Sequence, residues 1–190
     1  MHTGGVLVVI GALVGAGVVQ SAVIRFDLLP RLAVPLDAHA AIGGRRVFGA
    51  NKTWRGVLVM MTATTTAVWL IFSAVPPVPK VPTIGWAGLG ALMGFAYVVA
   101  ELPNSFVKRR LGIGAGQRSN RLPALQYLVD QADSVFGVTL VILLVLHPGP
   151  GELAELVVLG TLIHAAFDLL RRSLGPTPGP TGEHGRSQAR

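Results

Sequence analysis

The 190-residue sequence contains no cysteine, which excludes a disulfide framework and any thiolate metal site. It is also poor in charge. Only 13% of its residues are Asp, Glu, Lys or Arg, against about 25% in a typical soluble domain. Aromatic residues are scarce, at 6%. Apolar residues instead make up 51% of the chain, and the mean hydropathy is +0.59. Long apolar runs with so little charge describe an integral membrane protein. No internal repeat or composition break divides the chain, so one membrane domain is expected over residues 1–174, followed by a Pro/Gly-rich tail at 175–190. The net charge of +7 would suggest nucleic acid in a soluble protein. In a membrane protein loop charge that sets orientation accounts for it, and no nucleic-acid partner is expected.

Five apolar runs are predicted to cross the membrane as helices: Gly4 to Ile24, Gly56 to Val75, Ile84 to Ala100, Leu125 to Leu146 and Leu153 to Leu170. A run of about 20 residues, rising about 1.5 Å per residue, spans a hydrocarbon core of roughly 30 Å. The first run has no basic residue before it and Arg25 directly after it, a pattern that favours a retained helix over a cleaved leader. Gly90 and Gly94 in the third run are spaced for close helix packing. The fold class is therefore all-α and polytopic. Two polar loops, 25–55 and 102–123, and the segment after the fifth run carry six, five and four basic residues. The short 76–82 connection carries Lys80 alone. By the positive-inside rule the N-terminus lies outside and the C-terminus is cytoplasmic. This puts the multi-pass protein in the plasma membrane with its polar groups facing the cytosol.

The chemistry-bearing residues gather on that side. Asp130 and Asp133 lie three apart inside an apolar run, on one helical face. Two carboxylates at the edge of hydrocarbon repel each other and resist desolvation, and a hard divalent cation relieves both problems. Pairing of each aspartate with a loop arginine is the plainer alternative. Ser105, Lys108, Arg109 and Arg110 follow the third run, where Lys and Arg suit phosphate oxygens and also serve as ordinary topology markers. Asn51, Lys52, Thr53 and Arg55 precede the second run, so a helix N-terminus there can receive an anion. Glu101 and Gln131 stand among these groups. His164 and Asp168, four apart on the fifth helix, could orient a substrate or form a structural pair.

Three motifs in register carry a family resemblance: Asn-Lys-Thr-Trp-Arg-Gly at 51–56, Ser-Phe-Val-Lys-Arg-Arg-Leu-Gly-Ile at 105–113 and Leu-Val-Asp-Gln-Ala-Asp at 128–133. In order and spacing they resemble the CDP-archaeol synthase family, a branch of the CTP-dependent phosphatidate cytidylyltransferases. The resemblance implies an Mg2+-dependent membrane enzyme that transfers CMP from CTP to a lipid phosphate and releases pyrophosphate. It implies that Asp130 and Asp133 hold the metal, and that the catalytic set is these two with Lys108. It also implies substrate contacts from Asn51, Lys52, Thr53, Arg55, Glu101, Ser105, Arg109, Arg110, Gln131 and His164. The chain departs from the bacterial CDP-diacylglycerol synthases in having no His-Gly-Gly run before the aspartates. It departs from the family pattern in having Asp168 after His164 where asparagine is expected.

Two other classes compete with an enzyme. A small transporter would use Asp130, Asp133 and Glu101 as a relay, yet helix four has no charge between Asp133 and His147. A lipid-binding scaffold would keep the frame without turnover. The expected partners are CTP, a membrane lipid phosphate and bulk membrane lipids. Val, Leu and Ala linings suit isoprenoid ether and acyl chains alike, and oligomeric state is left open.

Overall fold

A computed structural model describes residues 3–74, 84–117, 119 and 121–173. The 76–82 connection and the 175–190 tail of the sequence analysis lie outside the described residues. Among the described residues five α-helices form the fold: α1 (Thr3–Arg25), α2 (Trp54–Ala74), α3 (Gly85–Arg110), α4 (Pro123–Leu146) and α5 (Pro150–Ser173). All five are long and apolar enough to cross a membrane, as expected from the hydropathy pattern. Their shared interior is built on apolar residues from all five helices. Val6 and Val9 of α1, Val68 and Phe72 of α2, Leu89 and Met93 of α3, Val138 and Ile142 of α4 and Leu156 of α5 are buried together. Phe72 and Trp86 stack with ring centroids 4.0 Å apart.

α3 is the central helix, and glycine lets its neighbours reach it. A Cβ on Gly94 would sit 2.6 Å from the Met60 carbonyl oxygen of α2, and one on Gly90 would sit 2.6 Å from the Thr65 Cα. On the other side a Cβ on Gly137 of α4 would stand 2.5 Å from the Ala96 carbonyl oxygen. The Gly90/Gly94 pair thus seats α3 on α2 within one chain.

The structure corrects the end of the third span. The sequence reading closed it at Ala100 and placed Leu102 to Pro123 in a loop, but α3 continues through Pro103 to Arg110. Pro103 removes one backbone donor and discourages a helix interior. The flanking Glu, Leu, Phe, Lys and Arg residues are good or neutral helix formers, and Lys108, Arg109 and Arg110 complement the helix dipole in the last turn. The polar loop therefore shrinks to residues 111–122, and Ser105 to Arg110 sit on a rigid element. α4 likewise begins earlier than expected, with Pro123 at its first positions.

The first polar loop is also more ordered than its Pro and Gly content suggests. It contains a 3-10 turn (Pro30–Leu32) and a small antiparallel hairpin of β1 (Ala41–Ile42) and β2 (Arg45–Arg46), in the register Ala41 to Arg46 and Ile42 to Arg45. Gly43 and Gly44, with φ of 58° and 74°, supply the two left-handed residues such a two-residue turn requires. The loop is pinned by Asp37, whose side chain is 1% exposed. Its carboxylate pairs with Arg46 and accepts the backbone N–H groups of Phe48 and Gly49 at 3.1 Å and of His39 at 3.2 Å.

The Arg46 guanidinium, followed by those backbone donors, holds the Asp37 carboxyl far below its ordinary range. A depressed folded value means the charged form stabilises the loop. That contribution is complete above the unfolded carboxyl value of about 3.9 and is lost as pH falls through the folded value. Asp37→Asn is expected to accelerate amide exchange at Phe48 and Gly49 by at least about tenfold near neutral pH, since hydrogen bonds to a charged group contribute roughly 1.5–3 kcal/mol. Hydrogen-exchange mass spectrometry in detergent checks this. Unchanged protection would mean Asp37 does not anchor the loop.

Candidate active site

The site is built where α3, α4 and α5 meet the two polar loops. Along the last three turns of α3, Glu101, Asn104, Ser105 and Lys108 recur at three- and four-residue spacing and present one face to α4. α4 answers with Asp130, Asp133 and Ser134. The Asn104 Nδ2 donates to Asp130 Oδ1 at 2.7 Å and to Asp133 Oδ2 at 2.8 Å. Lys108 Nζ donates to Asp130 Oδ1 at 2.7 Å, and Gln126 Nε2 reaches Asp130 Oδ2 at 3.4 Å. The other Asp133 oxygen accepts the Ser134 N–H at 2.7 Å. The Ser134 hydroxyl lies 2.7 Å from Glu101 Oε1, and the second Glu101 oxygen pairs with Lys52. One ladder of acids and bases therefore runs from Lys108 to Lys52.

The plainer alternative, an arginine for each aspartate, does not hold among the described residues. Asp130 pairs with a lysine of α3, and Asp133 forms no ion pair with Lys or Arg. Asp133 is left with neutral donors only, beside two further carboxylates on the same ladder. An unneutralised carboxylate at the edge of hydrocarbon is unfavourable. Two oxygens, one from each aspartate, already converge on the single Asn104 nitrogen. That convergence of oxygen donors suits a small hard cation with ligand distances of about 2.1 Å. No group of three or more His, Cys, Asp or Glu residues gathers for a metal among the described residues. Water or phosphate oxygens would have to complete the shell, as Mg2+ prefers.

Two cavities adjoin this ladder. One, of about 440 Å³, is polar and is walled by Ser105, Lys108, Arg109, Gln126, Asp130, Gln131 and Asp133. The other, of about 560 Å³, runs between α1 and α5 along Ile10, Leu13, Val14, Ile163 and Phe167. Asn51, Lys52, Glu101, Gly116, His164 and Asp168 line both. Thr53 lines the apolar one, while its hydroxyl accepts the Gly56 N–H at 3.3 Å and so caps α2.

Two of the expected substrate residues, Arg55 and Arg110, line neither cavity. Arg55 donates to Asp27 Oδ1 at 2.7 Å and to the Leu28 carbonyl at 3.0 Å, which ties the end of α1 to the start of α2. Arg110 donates to the carbonyls of Ile42, Arg45 and Arg46, and Arg45 returns a bond to the Arg110 carbonyl. Arg110 thereby docks the hairpin on the end of α3. Arg109 is 8% exposed and packs against Gly49, next to Asn51 and Lys52. His164 is bonded through both ring nitrogens, Nδ1 to the Gln131 carbonyl at 3.0 Å and Nε2 to the Tyr97 hydroxyl at 2.9 Å. A carbonyl only accepts, so Nδ1 carries a proton.

A family model described as CarS-like, CDP-archaeol synthase, matches residues 28–175. The chain belongs to the CDP-archaeol synthase family. The family likeness stated from the three motifs is borne out, and with it the enzyme class: a membrane CTP-dependent cytidylyltransferase of lipid biosynthesis that makes a CDP-lipid. A CDP-archaeol synthase of Saccharolobus islandicus (strain L.S.2.15 / Lassen #1) is 35% identical over 140 residues, covering 64% of this chain and 76% of that protein. One from Halobacterium salinarum (strain ATCC 29341 / DSM 671 / R1) is 36% identical over 107 residues, or 53% of this chain and 54% of that protein. A solved structure of an intramembrane enzyme for archaeal membrane lipids biosynthesis superposes with a TM-score of 0.60 over 83% of this chain and 90% of that one, at 24% identity. At that identity the superposition supports the fold.

In this member of the CDP-archaeol synthase family the sequence reading missed Asn104, Ser134 and Gln126. All three are neutral, so no charge pattern points to them. Asn104 had a signal nonetheless: it lies three residues after Glu101 and four before Lys108, on the face those two residues define once α3 is known to continue.

Proposed function

We infer that the protein transfers CMP from CTP to a lipid phosphomonoester through the two adjoining cavities, with Asp130 and Asp133 holding Mg2+. The observation that carries this reading is the pair of aspartate oxygens converging on one point, with Asp133 in no Lys or Arg ion pair among the described residues, in a polar cavity that shares a wall with an apolar one. The polar cavity suits the triphosphate, since Lys108 and Arg109 offer point and fork donors to its oxygens. The apolar groove between α1 and α5 suits the lipid tails and delivers their phosphate to the shared wall at Lys52 and His164. There a lipid phosphate oxygen attacks the α-phosphorus of CTP, a new P–O bond forms, and the bond to the β-phosphate breaks to release pyrophosphate. Such a transfer depends on in-line positioning and charge neutralisation. When bound, the cation supplies Lewis-acid polarisation and charge compensation at the phosphoryl oxygens. Lys52 and Lys108, now paired with Glu101 and Asp130, become phosphate donors as substrate charge arrives. His164, fixed by Tyr97 and the Gln131 carbonyl, orients the shared wall.

The excess of Lys and Arg in the loops at this end supports a cytosolic site with the N-terminus outside, which fits a soluble nucleotide substrate. The plasma membrane is the proposed location. Purified protein given α-labelled CTP, Mg2+ and lipid phosphates is expected to form a labelled CDP-lipid and an equal amount of pyrophosphate. Isoprenoid ether and diacyl phosphates offered side by side read the tail preference. Binding of CTP with no product from either lipid would favour the scaffold reading.

A further inference from the structure

We propose that Asn104 is a switching ligand of the cation site: its amide turns over when a divalent cation enters, exchanging two N–H bonds to Asp130 and Asp133 for one Oδ1–cation contact. This rests on the reading that those aspartates hold the cation. The Asn104 nitrogen donates to one oxygen of each carboxylate, at 2.7 and 2.8 Å. It therefore occupies the position on which both acids converge. A cation held between that atom and the two carboxylate oxygens cannot tolerate N–H groups pointing at it. A primary amide resolves the conflict by rotating half a turn about its last side-chain bond, which presents an acceptor of nearly the same shape. The amide oxygen is a hard, neutral ligand of the kind Mg2+ and Mn2+ accept.

The residue type follows from charge. Glu101, Asp130 and Asp133 already share one ladder with Lys52 and Lys108. A third aspartate at 104 would add a further charge to that ladder whenever the cation is absent. An amide instead satisfies both carboxylates in the empty state and still supplies an oxygen in the filled one. Placement on α3 matters too, because Asn104 faces α4 from a rigid helix and needs only its terminal torsion to move.

The test is cation affinity, read without turnover. The full chain in detergent is titrated with Mn2+ and free Mn2+ is followed by electron paramagnetic resonance, with and without CTP. Asn104→Ala is expected to weaken Mn2+ binding at least about tenfold, while Asn104→Asp, which has an oxygen but no N–H, is expected to bind as tightly as wild type or tighter. If the amide were only a plug, Asn104→Ala would bind Mn2+ as well as wild type or better, and the proposal is overturned. Loss of binding in Asn104→Asp overturns it equally, and this variant decides alone if Asn104→Ala does not survive extraction. A wild-type protein that takes up no Mn2+ with or without CTP removes the cation reading itself, an outcome distinct from a shift confined to the Asn104 variants.

Discussion

Asp133→Asn is expected to lower CMP transfer by about a thousandfold or more, roughly 4 kcal/mol of transition-state stabilisation, while the protein still inserts and unfolds near the wild-type temperature. The substitution keeps the shape of the side chain and an oxygen to accept the Ser134 N–H, giving up only the acceptor for Asn104 Nδ2, which keeps its bond to Asp130. What it removes is charge at the one carboxylate of the ladder with no Lys or Arg ion pair among the described residues. Stability should change little, because no ion pair is broken and one of three crowded carboxylates is neutralised. Activity should change greatly, because the charge lost belongs to the carboxylate that no Lys or Arg contacts directly among the described residues and that the proposed cation would balance. The same change at Asp130 is less clean, since it also releases Lys108 from its 2.7 Å pair. The measurement is the initial rate of labelled CDP-lipid formation across a Mg2+ series, beside thermal unfolding in the same detergent. Wild-type rates with an unchanged Mg2+ response in Asp133→Asn would remove the metal role from this residue.

The five helices could be read from the sequence because hydrocarbon imposes one requirement, an uninterrupted apolar run of sufficient length, and each span meets it. The acid pair was legible for the same reason: ionised side chains inside such a run stand out. The end of α3 was not legible, because Pro103 and a rise in charge look like a helix stop, and only packing against α4 shows that the helix continues. Asn104 was hidden with it, as its meaning depends on sharing a face with Glu101 and Lys108. The arginines were misleading in another way. Arg55, Arg109 and Arg110 share composition and neighbourhood, yet only Arg109 lines the polar cavity, while the other two hold backbone carbonyls. Which arginine meets carbonyls is set by where the 26–53 loop folds back, and that depends on Asp37, whose partners at 39, 46, 48 and 49 follow no sequence period.

Gly94→Ala is expected to destabilise the bundle by about 3 kcal/mol, at the upper end of typical overpacking costs, although alanine favours a helix over glycine by close to 1 kcal/mol. The new Cβ would stand 2.6 Å from the Met60 carbonyl oxygen and 2.7 Å from the Met61 Cα. Both are backbone atoms of α2, so no side chain can rotate aside and the two helices must separate. Separation spreads beyond the contact, because α2 begins at Trp54, two residues after Lys52, while α3 carries Glu101 and Asn104 about two to three turns beyond Gly94. The Lys52 to Glu101 pair spans the gap that would widen. Gly11→Ala is the control: a Cβ there meets nothing within 4 Å, so helix propensity should act alone and leave stability unchanged or slightly raised. Thermal unfolding of the two variants in one detergent separates the contributions. Equal midpoints would show that α2 and α3 do not touch through Gly94, whereas a fall confined to Gly94→Ala, accompanied by weaker CTP binding, would show that the close approach of these two helices sets the position of Lys52 against Glu101.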